Sequence, residues 1–200
     1  GVFDVGFLKS VPGMTVCSPG DRRDFVRMLE LSVAANGPFA VRYPKDAAYD
    51  LSEQLGERPP MVPGTGVMVA DGSDVAIVSL GPVLRSALEA REVLARDGVQ
   101  ASVADLRFAQ PLDTGLLARL AGTCRAVLLA EETTRSTGVY DAVVEALVHS
   151  GMNISCIGRC GVPDAFPAQD KRVHLLTTYQ LDGPGLAHAA QALLAGADRR

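Results

Sequence analysis

Phe39-Ala40-Val41-Arg42-Tyr43-Pro44-Lys45-Asp46 is the stretch on which the reading of this chain turns. Phe39 to Tyr43 is apolar and β-prone, which suits a short buried strand, and Pro44 stops it. Two cations, Arg42 and Lys45, fall where that strand leaves its sheet. In open α/β sheets, ligands collect beyond the carboxyl ends of the strands. A planar guanidinium and a mobile ammonium at such a place suit a phosphate or a carboxylate. Taken alone, the same residues fit equally well as solvated charges flanking a strand.

Upstream, Gly1 to Gly13 reads as loop, with Phe3, Phe7 and Leu8 as apolar anchors. Met14 to Cys17 is strand-like. Ser18-Pro19-Gly20-Asp21 then has the composition of a helix start, with Ser18 as cap, Pro19 at the first helical position and Asp21 in the first turn. Phe25, Met28, Leu29, Ser32 and Val33 follow at helical spacing and predict one core-facing stripe. Asn36-Gly37-Pro38 ends the helix and feeds Phe39. The unit is strand–helix–strand, hence parallel.

Downstream, residues 47–65 lack any apolar period and read as a linker. Gly66 to Ala70, Asp71-Gly72, and Val75 to Leu80 resemble a hairpin that enters a second sheet. Alternation is then regular. Helices are expected over Pro82 to Asp97 (Leu84, Ala87, Leu88 and Leu94 inward), Asp113 to Ala121 and Val139 to His149. Strands are expected over Val99 to Leu106, Ala126 to Ala130 and Asn153 to Ile157. Helical stretches near Ala168 to Leu176 and Gly183 to Ala195 close the chain. Strands alternating with helices predict an α/β protein with a mostly parallel, doubly wound sheet and an antiparallel edge.

Two hundred residues, 48% hydrophobic and 21% charged, suffice for one large or two small domains. A net charge of −4 without any basic stripe speaks against a nucleic-acid or anionic-membrane surface. Apolar runs are strand-sized, short of the ~18 residues of a membrane helix. The chain starts at Gly1 in mid-motif, which gives the expectation of a piece of something longer. Cys17, Cys124, Cys156 and Cys160 lack framework spacing and are expected to stay reduced, and Cys156 with Cys160 lacks further ligands at zinc spacing.

Three strand ends bring polar groups to one edge: Gly81-Pro82, Asp105 with Arg107, and Glu131-Glu132. A lone glycine turn is weak evidence for an anion site without a full phosphate-loop pattern. Adjacent strand residues point to opposite faces, so Glu131 and Glu132 cannot serve one atom, and one of them is expected in an ion pair or interface. His149, His174 and His188 have no partners at triad spacing and read as surface residues. The residues alone thus give an anion-friendly strand end and no complete catalytic set.

Taken together, several motifs are familiar. Gly1-Val2-Phe3-Asp4, Val11-Pro12-Gly13-Met14-Thr15-Val16, Ser18-Pro19, Gly37-Pro38 and Val41-Arg42-Tyr43-Pro44 resemble the pyrimidine-binding domain of the 1-deoxy-D-xylulose-5-phosphate synthases. Asp105-Leu106-Arg107-Phe108-Ala109-Gln110-Pro111-Leu112-Asp113, Glu131-Glu132 and Gly161-Val162-Pro163-Asp164-Ala165-Phe166 resemble that family's C-terminal transketolase-type domain. The resemblance implies the end of a pyrimidine-binding α/β domain over 1–46, a linker over 47–65 and a transketolase C-terminal domain over 66–200. Because 64–195 holds a full alternation of strands and helices, it is expected to fold alone, while 1–46, lacking most of its sheet, is expected to rely on further segments for burial. The resemblance implies a transferase that condenses pyruvate with D-glyceraldehyde 3-phosphate, releasing CO₂, on thiamine diphosphate with Mg²⁺. Such a product feeds isoprenoid, thiamine and pyridoxal biosynthesis. A cytoplasmic homodimer is implied, with Tyr140 and the loop after Glu132 near the contact.

The family's diphosphate and Mg²⁺ motif, activating glutamate and leading histidine have no counterpart here, so no catalytic residue is expected within the chain. What remains is the acceptor end. Lys45, supported by Arg42, falls where the family's Tyr-Pro-Arg-Gly carries its phosphate-binding arginine. Asp46 replaces the glycine and places a carboxylate beside that position, able to pair with Lys45. Thr137-Gly138-Val139-Tyr140 is bulkier than the family's glycine-rich turn, and Ala168-Gln169 stands where His-Gly is expected. The alternatives are another transketolase-like enzyme, the β subunit of a 2-oxoacid dehydrogenase, or a non-catalytic dimer partner.

Overall fold

The computed structural model describes residues 1–197. Its C-terminal part is a five-stranded sheet in the order β3-β5-β4-β7-β8. These strands are β3 (Val67–Ala70), β4 (Val75–Leu80), β5 (Ala101–Asp105), β7 (Ala126–Thr134) and β8 (Ile157–Val162). All neighbours are parallel except β3, which runs antiparallel to β5 at the edge. The expected mostly parallel α/β sheet is therefore present. The hairpin is not. β5 lies between β3 and β4, so the Asp71-Gly72 turn joins two strands that do not pair. Gly72 is packed against the backbone of Ala101 and Ser102, which leaves no room there for a β-carbon.

Helices cover both faces of the sheet. α4 (Leu84–Arg96) and α8 (Gly183–Ala197) bury Leu84, Ala87, Leu94, Leu186 and Leu194 on one side. On the other side α5 (Thr114–Thr123) and α6 (Tyr140–His149) bury Leu117, Leu120, Val143 and Leu147. Asp113 caps α5 by accepting from the Leu116 N–H at 2.8 Å. The strand expected over Asn153 to Ile157 is displaced: Ile154–Cys156 form a 3₁₀ turn and β8 follows. Asn153 explains the shift, because its side chain accepts from the Ser155 N–H and closes a local turn instead of a ladder. α7 (Arg172–Thr178) begins later than expected from Ala168.

The first part of the chain departs further. Gly1 to Gly13 is not all loop: α1 (Asp4–Lys9) lies within it, with Val5 buried. Gly6 sits inside this helix because a β-carbon there would strike Thr137. β1 (Thr15–Cys17) and β2 (Phe39–Val41) are parallel, as the strand–helix–strand pattern requires, although β2 ends before Arg42 and not at Tyr43. α2 (Arg22–Ala34) is capped by Asp21, which accepts from the Asp24 N–H, and not by Ser18. Its inward stripe is rotated from the expected one. Asp24 and Met28 are buried, whereas Leu29 is 42% and Val33 88% exposed. A carboxylate takes the inner position because two guanidiniums await it.

The linker is more than a spacer. It holds the short α3 (Ser52–Leu55), the buried Leu51 and the buried side chain of Arg58. β6 (Phe108–Gln110) leaves the C-terminal part to pair antiparallel with β1, giving a second sheet in the order β2-β1-β6. Val5 and Val16 pack in the same core as Leu106 and Leu117. In space, β6 crosses the 1–46 and 66–200 division expected from sequence. No helix among the described residues is long and apolar enough to cross a membrane.

Candidate phosphate-binding site

Beyond the carboxyl end of β2 the backbone makes a three-residue turn in which the Asp46 N–H donates to the Pro44 carbonyl at 3.0 Å. Lys45 is the middle residue. Arg42, one step closer to the strand, is committed elsewhere. Its Nη2 donates to the Glu132 carbonyl at 2.8 Å, and its Nε lies 3.6 Å from Asp4. Arg42 therefore ties the strand end to α1 and β7 and leaves Lys45 to face solvent.

Lys45 is exposed and has no ion pair among the described residues. Two cavities of about 270 and 280 Å³ share Tyr43, Pro44, Lys45 and Arg172 as a common wall. Asp46 does not occupy Lys45. Its carboxylate lies 3.3 Å from Arg172, whose Nε and Nη2 also grip both oxygens of Glu132. Tyr49 OH accepts from Arg172 Nη1 at 2.7 Å. Each carboxylate of this wall thus already has its counter-ion, and Lys45 carries the one uncommitted charge on it among the described residues. An ammonium in that condition is a point charge available to an anion.

Glu131 and Glu132 separate as strand alternation demands. Glu132 goes to Arg172, while Glu131 turns inward and accepts from the Val139 N–H at the start of α6, at 3.0 Å. Burial pushes the Glu131 carboxyl up from its ordinary range. Gly138 is needed beside it, since a side chain there would collide with that carboxylate. The segment after Glu132 is covered by the first residues of the same chain: Lys9 donates to the Gly138 carbonyl at 2.9 Å, and the Thr134 N–H at the end of β7 to the Val2 carbonyl. Tyr140 lies under the Arg159 guanidinium, 4.6 Å from ring centre.

A second charged group, of which the sequence showed only Asp105 and Arg107, lies at the end of β5. Asp21, Asp24 and Asp105 meet Arg58 and Arg107, all with side chains at most 3% exposed. Arg107 is left-handed at φ 58, directs its N–H to Asp105 at 3.1 Å and places its guanidinium 3.2 Å from Asp24. Arg58 bridges Asp24 and Asp105. The expected Asp105–Arg107 strand end is real, but it is a structural lock between the two parts of the chain, closed to ligands. Its advance signal was that opposite charges, Asp105 and Arg107, stood two residues apart at the end of an apolar strand.

Burial pushes the Asp105 carboxyl up to about 6, with Arg58 pulling the other way. Raising a carboxyl in the folded state means that the folded protein binds the proton more tightly than the unfolded one. The stability Asp105 contributes is then complete below about 4 and lost as pH rises through about 6. Denaturant titrations of parent and Asp105→Asn between pH 4 and 7 are expected to differ in slope, the parent losing stability with rising pH faster than the variant. Parallel pH dependences would refute the assignment.

His149, His174 and His188 are exposed, as expected. The four cysteines are unpaired; burial pushes the Cys17 thiol up to about 12 and that of Cys160 up to about 11, so neither is a ready thiolate. No group of three or more His, Cys, Asp or Glu side chains able to hold a metal occurs among the described residues.

A mostly parallel C-terminal sheet with helices on both faces has the architecture of one class: the chain belongs to the transketolase C-terminal domain family, which matches residues 64–186. Within it, the chain corresponds to the C-terminal portion of 1-deoxy-D-xylulose-5-phosphate synthases, bearing out the resemblance seen in its motifs. It is 38% identical over 197 residues to 1-deoxy-D-xylulose-5-phosphate synthase 1 of Geobacter sulfurreducens, covering 98% of this chain and 30% of that protein. It is 36% identical to the synthase of Symbiobacterium thermophilum over 97% of this chain and 30% of that protein. The chain thus spans about 30% of the length of the curated relatives it matches. A solved split-gene transketolase, described as an inactive β4 tetramer, superposes with a TM-score of 0.86 at 28% identity, over 98% of this chain and 62% of that one. A Pichia stipitis transketolase mutant shares the fold at a TM-score of 0.69 and 15% identity, over 97% of this chain and 27% of its own.

Proposed function

We propose that this chain forms the acceptor end of a thiamine diphosphate-dependent synthase that joins pyruvate to D-glyceraldehyde 3-phosphate and releases CO₂, yielding 1-deoxy-D-xylulose 5-phosphate. The active protein is a cytoplasmic homodimer serving isoprenoid and thiamine biosynthesis. One observation carries the acceptor assignment: among the described residues Lys45, beyond the end of β2, is the uncommitted cation on a wall whose other charges are paired. It holds the aldehyde's phosphate, and Arg42 supports it by fixing the strand end.

The residues present do not fit the diphosphate and Mg²⁺ end of the cofactor. The buried carboxylates that hard cations favour are held by Arg58 and Arg107. Thiamine diphosphate supplies the carbanion chemistry when bound, and its anchors belong to the remainder of the enzyme. Calorimetry is accordingly expected to detect no binding of thiamine diphosphate with Mg²⁺ to the 200-residue chain alone. Micromolar binding would mean that the site has been misplaced.

The complete enzyme, given the cofactor, Mg²⁺ and both substrates, should form the deoxyxylulose phosphate, followed by mass spectrometry. Turnover of a ketose phosphate donor in place of pyruvate would favour a transketolase proper. The likeness to a split-gene transketolase favours one further arrangement, in which this chain is the second subunit of a two-chain enzyme, inert without its partner.

A further inference from the structure

The Lys45 ammonium has no ion pair or hydrogen bond among the described residues, so something else must fix where it points. The turn that bears it is anchored on both sides to a single residue of β7. On the strand side, Arg42 donates to the Glu132 carbonyl at 2.8 Å. On the far side, Arg172 at the start of α7 grips the Glu132 carboxylate side-on, with Nε 2.9 Å from Oε2. The third nitrogen of the same guanidinium, Nη1, reaches Asp46 at 3.3 Å and the Tyr49 hydroxyl at 2.7 Å. Tyr49 is held in turn: its carbonyl accepts the Arg22 N–H at 2.8 Å, and the Arg85 guanidinium lies 4.7 Å from its ring centre. Asp46 completes the turn with its other oxygen, which accepts from the Ala47 N–H at 2.8 Å.

We infer that Arg172 is a positioning residue, a latch on Asp46 and Tyr49 that holds the Lys45 turn against the C-terminal domain and fixes the ammonium for a phosphorylated acceptor. The inference rests on the acceptor reading of Lys45. It gives Asp46 a purpose. A flexible lysine loses more side-chain freedom on binding than a preorganised arginine fork. Tethering its backbone removes part of that cost. Arg172 suits the task because its side chain is 13% exposed and its planar fork serves three acceptors at once.

Simple electrostatics and the latch predict opposite signs for one variant, which makes the test clean. Asp46→Asn removes a negative charge beside Lys45, and by Coulomb attraction alone it should tighten anion binding. If the latch operates, it loosens the turn instead. In the complete enzyme, Asp46→Asn and Arg172→Lys, singly and together, are read in two ways. Amide hydrogen exchange over residues 43–49 reports the turn, and steady-state kinetics with glyceraldehyde 3-phosphate and with unphosphorylated glyceraldehyde report its use.

The expected result is exchange faster by about tenfold in each single variant. KM for the phosphorylated aldehyde rises by roughly three- to tenfold with kcat retained, and the double variant is no worse than the worse single. The unphosphorylated aldehyde is unaffected. Unchanged exchange, or a lower KM in Asp46→Asn, overturns the latch. Faster exchange without a kinetic change overturns its positioning role, provided that Lys45→Ala distinguishes the two aldehydes. If Lys45→Ala does not distinguish them, the acceptor reading fails and the tether stands on the exchange data alone.

Discussion

Replacing Lys45 by alanine is expected to lower kcat/KM for glyceraldehyde 3-phosphate by roughly ten- to a hundredfold, because a hydrogen bond to a charged group is worth about 1.5–3 kcal/mol. Pyruvate KM should hardly change. Lys45→Arg should keep or improve acceptor use, since the fork replaces a point charge with two directed donors. The comparison with unphosphorylated glyceraldehyde decides the matter: equal losses on both acceptors would make Lys45 a structural charge. Arg42→Ala is a different experiment. It breaks the contacts to Glu132 and Asp4, so it should disturb both acceptors through the strand end.

The second large effect lies in the buried charges. Arg107 has a fully buried side chain and faces Asp24, also fully buried. Removing one partner of a buried ion pair leaves an uncompensated charge and costs about 3–5 kcal/mol. Arg107→Met should therefore shift the urea midpoint of the chain strongly downwards, with the first and C-terminal parts losing cooperativity. Adding Asp24→Leu should recover part of the loss, because it removes one of the buried carboxylates left in excess over Arg58. A single Arg107→Met variant as stable as the parent would show that the group carries no such weight.

What could be read from sequence followed from periodicity. The run from Val75 to Leu80, the fully apolar Ala126 to Ala130 and the helix ending at Gly98 signal their structures locally, and the C-terminal sheet came out accordingly. The misreadings share a different cause. Leu29 and Val33 look like core residues by hydrophobicity, yet the inner face of α2 is decided by Asp24, whose partners Arg58 and Arg107 are distant in sequence. Pairing of β5 between β3 and β4 is likewise non-local, and an Asp-Gly step mimics a hairpin whichever strand lies next to it. At the site, a cation beyond a strand end was legible in Arg42-Tyr43-Pro44-Lys45. That Asp46 would turn to Arg172 and not to Lys45 was not, because 126 residues separate the pair.

The pairing of β6 with β1 bears on how such proteins could be recombined. By composition, the stretch between Ala47 and Thr65 is the inviting place to join two parents into a chimera. A crossover there would ask one parent's β1 to accept the other's β6, and one parent's Asp24 to neutralise the other's Arg107. A protease cut at the same place would leave two pieces still held by that strand pairing and by the buried charges. Exchanges of the C-terminal domain between relatives should therefore carry α1, β1, α2 and β2 with it.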